Sequence, residues 1–276
     1  MNTDNHITYI TDPMETLAHA KSKQTRRRGS QLVLVCATVE ELTRQAAELF
    51  VAKAQQAIAV NGHFSVALSG GSTPRSLYAH LAEPDVASRI HWETVHLFWG
   101  DERCVPPEHT DSNFRMVSET LLEHIAIPAQ NIHRIQGELQ PSEASAQYEH
   151  ELYDFFEGTP RFDLILLGLG DDGHTASLFP FSPALQEQTR WVVAVSHETS
   201  PSPLVSRVTL TLPVINNAQN IVFLVSGARK ASRLAEILNA PAKFHELPAQ
   251  AVRPNDGERL WLIDKAAAVD LNRETK

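Results

Sequence analysis

Residues 162–174 read Phe162-Asp163-Leu164-Ile165-Leu166-Leu167-Gly168-Leu169-Gly170-Asp171-Asp172-Gly173-His174. The first six are apolar apart from Asp163, without alternation of polar and apolar side chains. That pattern suits a strand covered on both faces in the middle of a parallel sheet. The next seven contain three glycines, two aspartates and a histidine, a mixture that no strand interior would carry. A buried strand therefore stops abruptly in a polar loop.

On either side the same alternation recurs. Short apolar runs predict strands over 32–36, 64–68, 95–99, 132–135, 191–195, 208–212, 221–225 and 260–263. Helical spacing of apolar residues predicts helices over 39–60, 113–125, 142–156 and 228–238, and one more through Leu77, Tyr78 and Leu81. Strands alternating with helices predict an α/β fold, a Rossmann-like, mostly parallel sheet with helices on both faces. Residues 1–30 are polar, carry Arg26-Arg27-Arg28 and lack the apolar stretch of a secretory signal. They read as a disordered N-terminal arm, and residues 31–276 as a single catalytic domain.

Charge narrows the function classes. The 276 residues carry a net charge of −9, the opposite of a general nucleic-acid binder, so no nucleic-acid partner is expected. An anionic ligand must be held by a few placed cations. The two cysteines, Cys36 and Cys104, have no paired spacing, which speaks against a disulfide framework and fits a reducing cytoplasm. The apolar runs are too short to span a bilayer, so no membrane partner is expected either. Nothing in the chain indicates the oligomeric state.

In a parallel sheet, ligands bind beyond the carboxyl ends of the strands. Four predicted strand ends are informative. After Leu68 comes Ser69-Gly70-Gly71-Ser72-Thr73-Pro74. The glycines permit a sharp turn, Ser72 or Thr73 can cap the following helix, and Pro74 suits its first position. The free N–H groups there make an anion site. Without the Gly-Lys-Ser/Thr of a nucleotide P-loop, a phosphomonoester fits better than ATP. Gly100-Asp101-Glu102-Arg103 follows Trp99, and Arg103 could hold a phosphate with two parallel bonds. Cys104 beside it has no adjacent histidine to activate it. Gly227-Ala228-Arg229-Lys230 follows the strand ending at Val225 and puts Lys230 in a helix's first turn, where an anion would explain a cation.

The fourth is the loop after Leu167. Gly168-Leu169-Gly170-Asp171-Asp172-Gly173 matches a dinucleotide fingerprint, but Pro180 and Pro183 interrupt the long helix that should follow. His174 reads better as a general base, with Asp172 fixing its tautomer and backbone N–H groups of the glycines stabilising an oxyanion. A metal site is the rival, yet Asp172-Gly173-His174 supplies too few ligands, so neither metal nor cofactor is expected.

Taken in order, these segments resemble the 6-phosphogluconolactonase family, within the wider group of sugar-phosphate isomerases. So do Thr110-Asp111-Ser112-Asn113, Arg207-Val208-Thr209-Leu210 and Trp261-Leu262-Ile263-Asp264. The resemblance implies a phosphorylated sugar lactone as substrate. It implies His174 and Asp172 as catalytic residues, and Ser69, Gly70, Gly71, Ser72, Thr73, Arg103, Asn113, Gly170, Arg207 and Lys230 as substrate or phosphate contacts. Glucosamine-6-phosphate deaminases share the fold but continue their histidine segment as His-Ile-Ala-Phe-Asn-Glu-Pro, where this chain has His174-Thr175-Ala176-Ser177-Leu178-Phe179-Pro180. A deaminase-like isomerase and a non-catalytic sugar-phosphate sensor are the alternative readings. Phe181 stands where the family often has glycine.

Overall fold

The apolar runs become the strands of one parallel sheet. The computed structural model describes residues 7–12, 31–196 and 202–271. Its first half runs β1 (Ile7–Ile10), β2 (Gln31–Cys36), α1 (Val39–Asn61), β3 (Phe64–Leu68), α2 (Ser72–Leu81), β4 (Val95–Trp99), β5 (Asp101–Arg103), α3 (Asn113–Thr120), β6 (Ile132–His133) and α4 (Pro141–Phe156). The second half runs β7 (Leu164–Leu167), β8 (Val192–Val195), β9 (Arg207–Leu210), α5 (Leu212–Asn216), β10 (Asn220–Val225), α6 (Ala231–Asn239) and β11 (Glu258–Asp264).

Eight strands form the main sheet in the order β1-β2-β11-β10-β7-β3-β4-β6, and the pairs are parallel. As the run at Leu164–Leu167 predicts, β7 is central and all four of its residues are buried. Helix α1 packs along β2, β3 and β11. It starts at Thr38, whose side chain accepts from Glu41 N–H at 3.2 Å, and stops at Gly62, which takes φ 79° in the left-handed region. Buried tyrosines pin two strand ends. Tyr78 Oη accepts from Ser69 N–H at 3.0 Å and donates to Ser69 O at 2.9 Å. Tyr148 Oη does the same at Trp99, at 2.8 and 2.9 Å.

Three features depart from the sequence reading. Within the expected arm, Ile7–Ile10 is an edge strand paired parallel to β2, with Ile10 buried. Four β-branched or aromatic residues are too short a run to register in a sequence, and the open edge of β2 supplies the missing hydrogen bonds. The remaining arm positions, 1–6 and 13–30, lie outside the described residues. Second, the segments at 191–195 and 208–212 do not join the main sheet. With Asp101–Arg103, expected as a loop, they build a separate antiparallel sheet in the order β5-β9-β8. Third, the helix expected over 113–125 ends at Thr120, and the one expected from 228 begins as a single 3₁₀ turn with its α part starting at Ala231.

Candidate active site

Sheet order explains why the four loops belong together. β10, β7, β3 and β4 are consecutive neighbours, so their carboxyl ends deliver residues 226–230, 168–174, 69–73 and 100–103 to one edge. Direct contacts join them. Thr73 Oγ1 lies 2.7 Å from Ser226 Oγ. Lys230 Nζ pairs with Asp171. A Cβ on Gly70 would overlap the Asn113 side chain, so only glycine lets Asn113 settle against that turn. Asn113 Nδ2 then donates to Asp101 O at 2.9 Å.

The loop after β7 folds over its own histidine. His174 Nδ1 and Asp172 Oδ1 are 2.5 Å apart, and His174 N–H donates to the same oxygen at 3.0 Å. A Cβ at Gly170 would overlap the imidazole, so glycine is required for that close approach. Gly173 supplies the turn with φ 90°. Burial pushes the Asp172 carboxyl up, but its hydrogen bonds and the charge of His174 outweigh this and leave it below the ordinary aspartate value. With Nδ1 engaged, Nε2 of His174 has no chain partner among the described residues. The imidazole packs on Phe179, with ring centres 4.6 Å apart. The loop's own amides are partly spent. Gly170 N–H donates to His174 O at 2.8 Å and Gly173 N–H to Gly170 O at 3.1 Å. These two glycines therefore do not offer their N–H groups to an oxyanion, contrary to expectation.

Free donors are found instead at α2. Its N-cap is Gly71, and no side chain caps it. Ser72 and Thr73 lie inside the first turn and Pro74 third, so neither hydroxyl caps as expected. The first-turn N–H groups are left for a ligand. Ser69 Oγ, buried beneath them, also has no partner.

The small sheet sets two guanidinium groups side by side, since Arg103 and Arg207 are direct partners across β5 and β9. Arg103 donates from Nη1 to Asp111 O at 2.6 Å, and Arg207 from Nη2 to Pro203 O at 3.1 Å. Each keeps a buried Nε without an acceptor. Arg207 is only 5% exposed, and its guanidinium lies 5.8 Å from the Phe179 ring centre. That places it one ring away from His174. Burial first, and the charge of Arg103 after the opposing pull of Asp101, lower its basicity. Lys230 differs from expectation, because Asp171 already neutralises it. That contact holds the Asp171 carboxyl below its ordinary value.

Several residues were quoted in the sequence without a role. Glu102 is buried and accepts from the N–H groups of Arg103, Asn113 and Phe114, each at 2.7 Å, and from Ser112 Oγ at 3.0 Å. It thus fastens β5 to the start of α3, although burial raises its pKa. Asp101 accepts from Ser177 Oγ at 2.6 Å, tying the loop after β7 to the small sheet. A signal existed for both, two acids directly before an arginine at a strand end. Burial pushes the Cys104 thiol up to about 11, which leaves it a poor nucleophile. Among the described residues, no group of three or more His, Cys, Asp or Glu side chains could hold a metal ion.

Residues 37–261 match the family of glucosamine-6-phosphate isomerases and 6-phosphogluconolactonase. The chain belongs to that family. It is 45% identical to the 6-phosphogluconolactonase of Synechocystis sp. over 78% of this chain and 88% of that one. It is 40% identical to the Nostoc sp. 6-phosphogluconolactonase over 85% of this chain and 98% of the relative. Among solved structures, the Trypanosoma brucei 6-phosphogluconolactonase superposes with a TM-score of 0.78 at 31% identity, covering 87% of this chain and 98% of that one. These relatives place the chain on the hydrolase side of the family. No helix among the described residues is long and apolar enough to cross a membrane.

Proposed function

We propose that this chain hydrolyses 6-phospho-D-glucono-1,5-lactone to 6-phospho-D-gluconate, the second step of the oxidative pentose phosphate pathway. The observation that carries this reading is the Asp172–His174 contact of 2.5 Å on a loop at the carboxyl end of the central strand, with Nε2 unspent. Asp172 accepts from Nδ1–H and so keeps the lone pair on Nε2. That nitrogen takes a proton from water as the water oxygen bonds to C1 of the lactone. The carbonyl oxygen becomes an oxyanion, which nearby backbone N–H groups outside the 70–73 turn would hold. Collapse breaks the bond from C1 to the ring oxygen, which leaves with the proton from the imidazolium. The carboxylic acid formed then ionises and releases one proton to solvent. Every step uses groups of this chain and water.

Arg103, Arg207, Lys230 and the turn at 70–73 would hold the 6-phosphate, with Asn113 and Gly170 shaping the pocket around the sugar. Their unspent donors support this, since a dianion repays the burial of two adjacent guanidiniums. Lys230 would trade Asp171 for phosphate on binding. Unpaired cysteines, and no membrane-spanning helix among the described residues, agree with a cytoplasmic enzyme. The test is acid release on freshly made 6-phosphogluconolactone, with spontaneous opening subtracted. No release above that background by folded protein sinks the reading.

A further inference from the structure

Two rungs of the small sheet meet the loop that carries His174. Asp101 and Thr209 are direct partners across β5 and β9, and so are Arg103 and Arg207, two residues along each strand. Side chains two apart on a strand share a face, so these four stand on one side of the ladder. Glu102, between them, is turned to the start of α3. The loop meets the two rungs with residues that are also two apart. Ser177 Oγ donates to Asp101 Oδ2 at 2.6 Å, and Ser177 N–H donates to Thr209 Oγ1 at 3.2 Å. Phe179 meets the next rung, its ring centre 5.8 Å from the Arg207 guanidinium and 4.6 Å from the centre of the His174 imidazole.

The chain between Ser177 and His174 is short and held. Thr175 forms a bridge with Leu178, and Thr175 Oγ1 donates to Gly168 O at 2.9 Å. Ala176 takes φ 47°, a left-handed conformation that alanine keeps only under constraint. Ser177 and Thr209 are fully enclosed and Asp101 is buried, so no solvent stands ready to replace a lost bond. A hydroxyl three residues from the imidazole is thus fixed to the strand that ends in one guanidinium and the strand that begins with the other.

We propose that Ser177 is a positioning residue that sets the distance between His174 and the Arg103–Arg207 pair. It thereby fits the site to a substrate of one length from phosphate to carbonyl. The inference rests on the lactonase reading above. Ser177, being enclosed, acts through the loop and not on the lactone itself. A lactone held by its phosphate cannot follow a base that has moved, and a misplacement of about 1 Å costs about a hundredfold. An unphosphorylated lactone is not held at the arginine end and can shift with the loop.

Acid release from 6-phosphogluconolactone and from gluconolactone, by wild type and by Ser177→Ala, tests this. Ser177→Ala should lower kcat on the phosphorylated lactone by about ten- to a hundredfold, with KM within about twofold. On gluconolactone kcat/KM should fall by less than about threefold. Thr209→Val keeps the side-chain shape, removes the other tie, and should show the same preference more weakly. Equal losses on the two lactones overturn the proposal, because a residue that merely supports His174 or the fold would not tell them apart. A raised KM at unchanged kcat overturns it as well, by placing Ser177 with the phosphate clamp, and so do unchanged kinetics. A wild-type chain inactive on the phosphorylated lactone sinks the lactonase reading and this inference with it, so the wild type tells the two failures apart. Should Ser177→Ala fail to fold, Thr209→Val decides alone.

Discussion

Two histidine–carboxylate arrays lie on different strands of the same sheet. At the carboxyl ends, Asp172 holds His174 at 2.5 Å. At the β4–β6 edge of the sheet, Glu151 of α4 holds His133 Nδ1 at 2.8 Å, and His133 Nε2 lies 3.0 Å from His96 Nδ1. Exposure hardly separates them, since the His174 side chain is 20% exposed and that of His133 12%. What differs is the second nitrogen. His174 keeps Nε2 unspent beside glycines, whereas both nitrogens of His133 are used and its ring is stacked on Phe98 with centres 4.2 Å apart. The same pair of residue types serves as machinery where one nitrogen is left over, and as scaffolding where none is.

Exchanging each histidine gives the largest expected effect and the most direct way to break that comparison. His174→Asn should reduce kcat by about a hundredfold to ten-thousandfold, the usual range for losing a general base, with KM little changed. His133→Asn should leave kcat and KM within about twofold while lowering Tm, because Glu151 and His96 lose a buried partner. Near-wild-type turnover by folded His174→Asn would remove it as the base. An equal loss in His133→Asn would show that the sheet-edge array reaches the site.

The carboxylates come next. Asp172→Asn should cost about tenfold to a thousandfold in kcat, because an amide can hold the imidazole in the wrong tautomer. Glu151→Gln should cost stability alone. If turnover falls alike in both, position in the fold does not decide the role.

Within the strand-end site, capture can be separated from chemistry. Arg103→Gln should lower kcat/KM for the phosphorylated lactone by about ten- to a hundredfold, the worth of a charge-assisted hydrogen bond. Lys230→Gln should fall at the lower end, because the lysine must first leave Asp171. Slow hydrolysis of unphosphorylated gluconolactone should respond to neither, and raised salt should hurt only the phosphorylated substrate. Equal losses on both lactones would move the phosphate clamp to Arg207.

How much of this was legible follows from the range of each interaction. The central strand, the loop after it and the Asp172–His174 pair are local, and a few consecutive residues spell them out. The fold class is legible too, because burial on both faces leaves unbroken apolar runs such as Leu164–Leu167. Sheet assignment is not. Val192–Val195 and Arg207–Leu210 look like any strands, and only long-range pairing puts them in an antiparallel sheet with Asp101–Arg103. Arg207 beside Arg103 was therefore visible only as a resemblance. Lys230 misled because its partner, Asp171, is 59 residues away. Glu102 is one of three consecutive charges after a strand, and its partners at 112–114 appear only once β5 and α3 meet.

The smallest expected effect concerns the sheet-edge array and acid. Burial first, with the nearby His133 and His63 acting in the same direction, lowers the pKa of His96 to about 4. His63 meets the His96 ring edge-on at 5.9 Å, Phe155 of α4 lies 4.7 Å away, and Glu151 faces the array through His133. The folded chain thus holds His96 neutral where the unfolded chain, at about 6.5, would take up a proton. As pH falls below about 6.5 the unfolded state binds the extra proton and stability declines, until His96 also protonates in the folded state near 4. Above 6.5 the group contributes no slope. His96→Phe should remove up to one proton from the pH dependence of unfolding between these limits, measured by denaturant midpoints at several pH values. Turnover at neutral pH should not move, since β3 separates the strand of His96 from the strand that carries the His174 loop. An unchanged acid limb would mean that His96 is not the group taking up the proton, and a changed turnover would join the two arrays that the fold keeps apart.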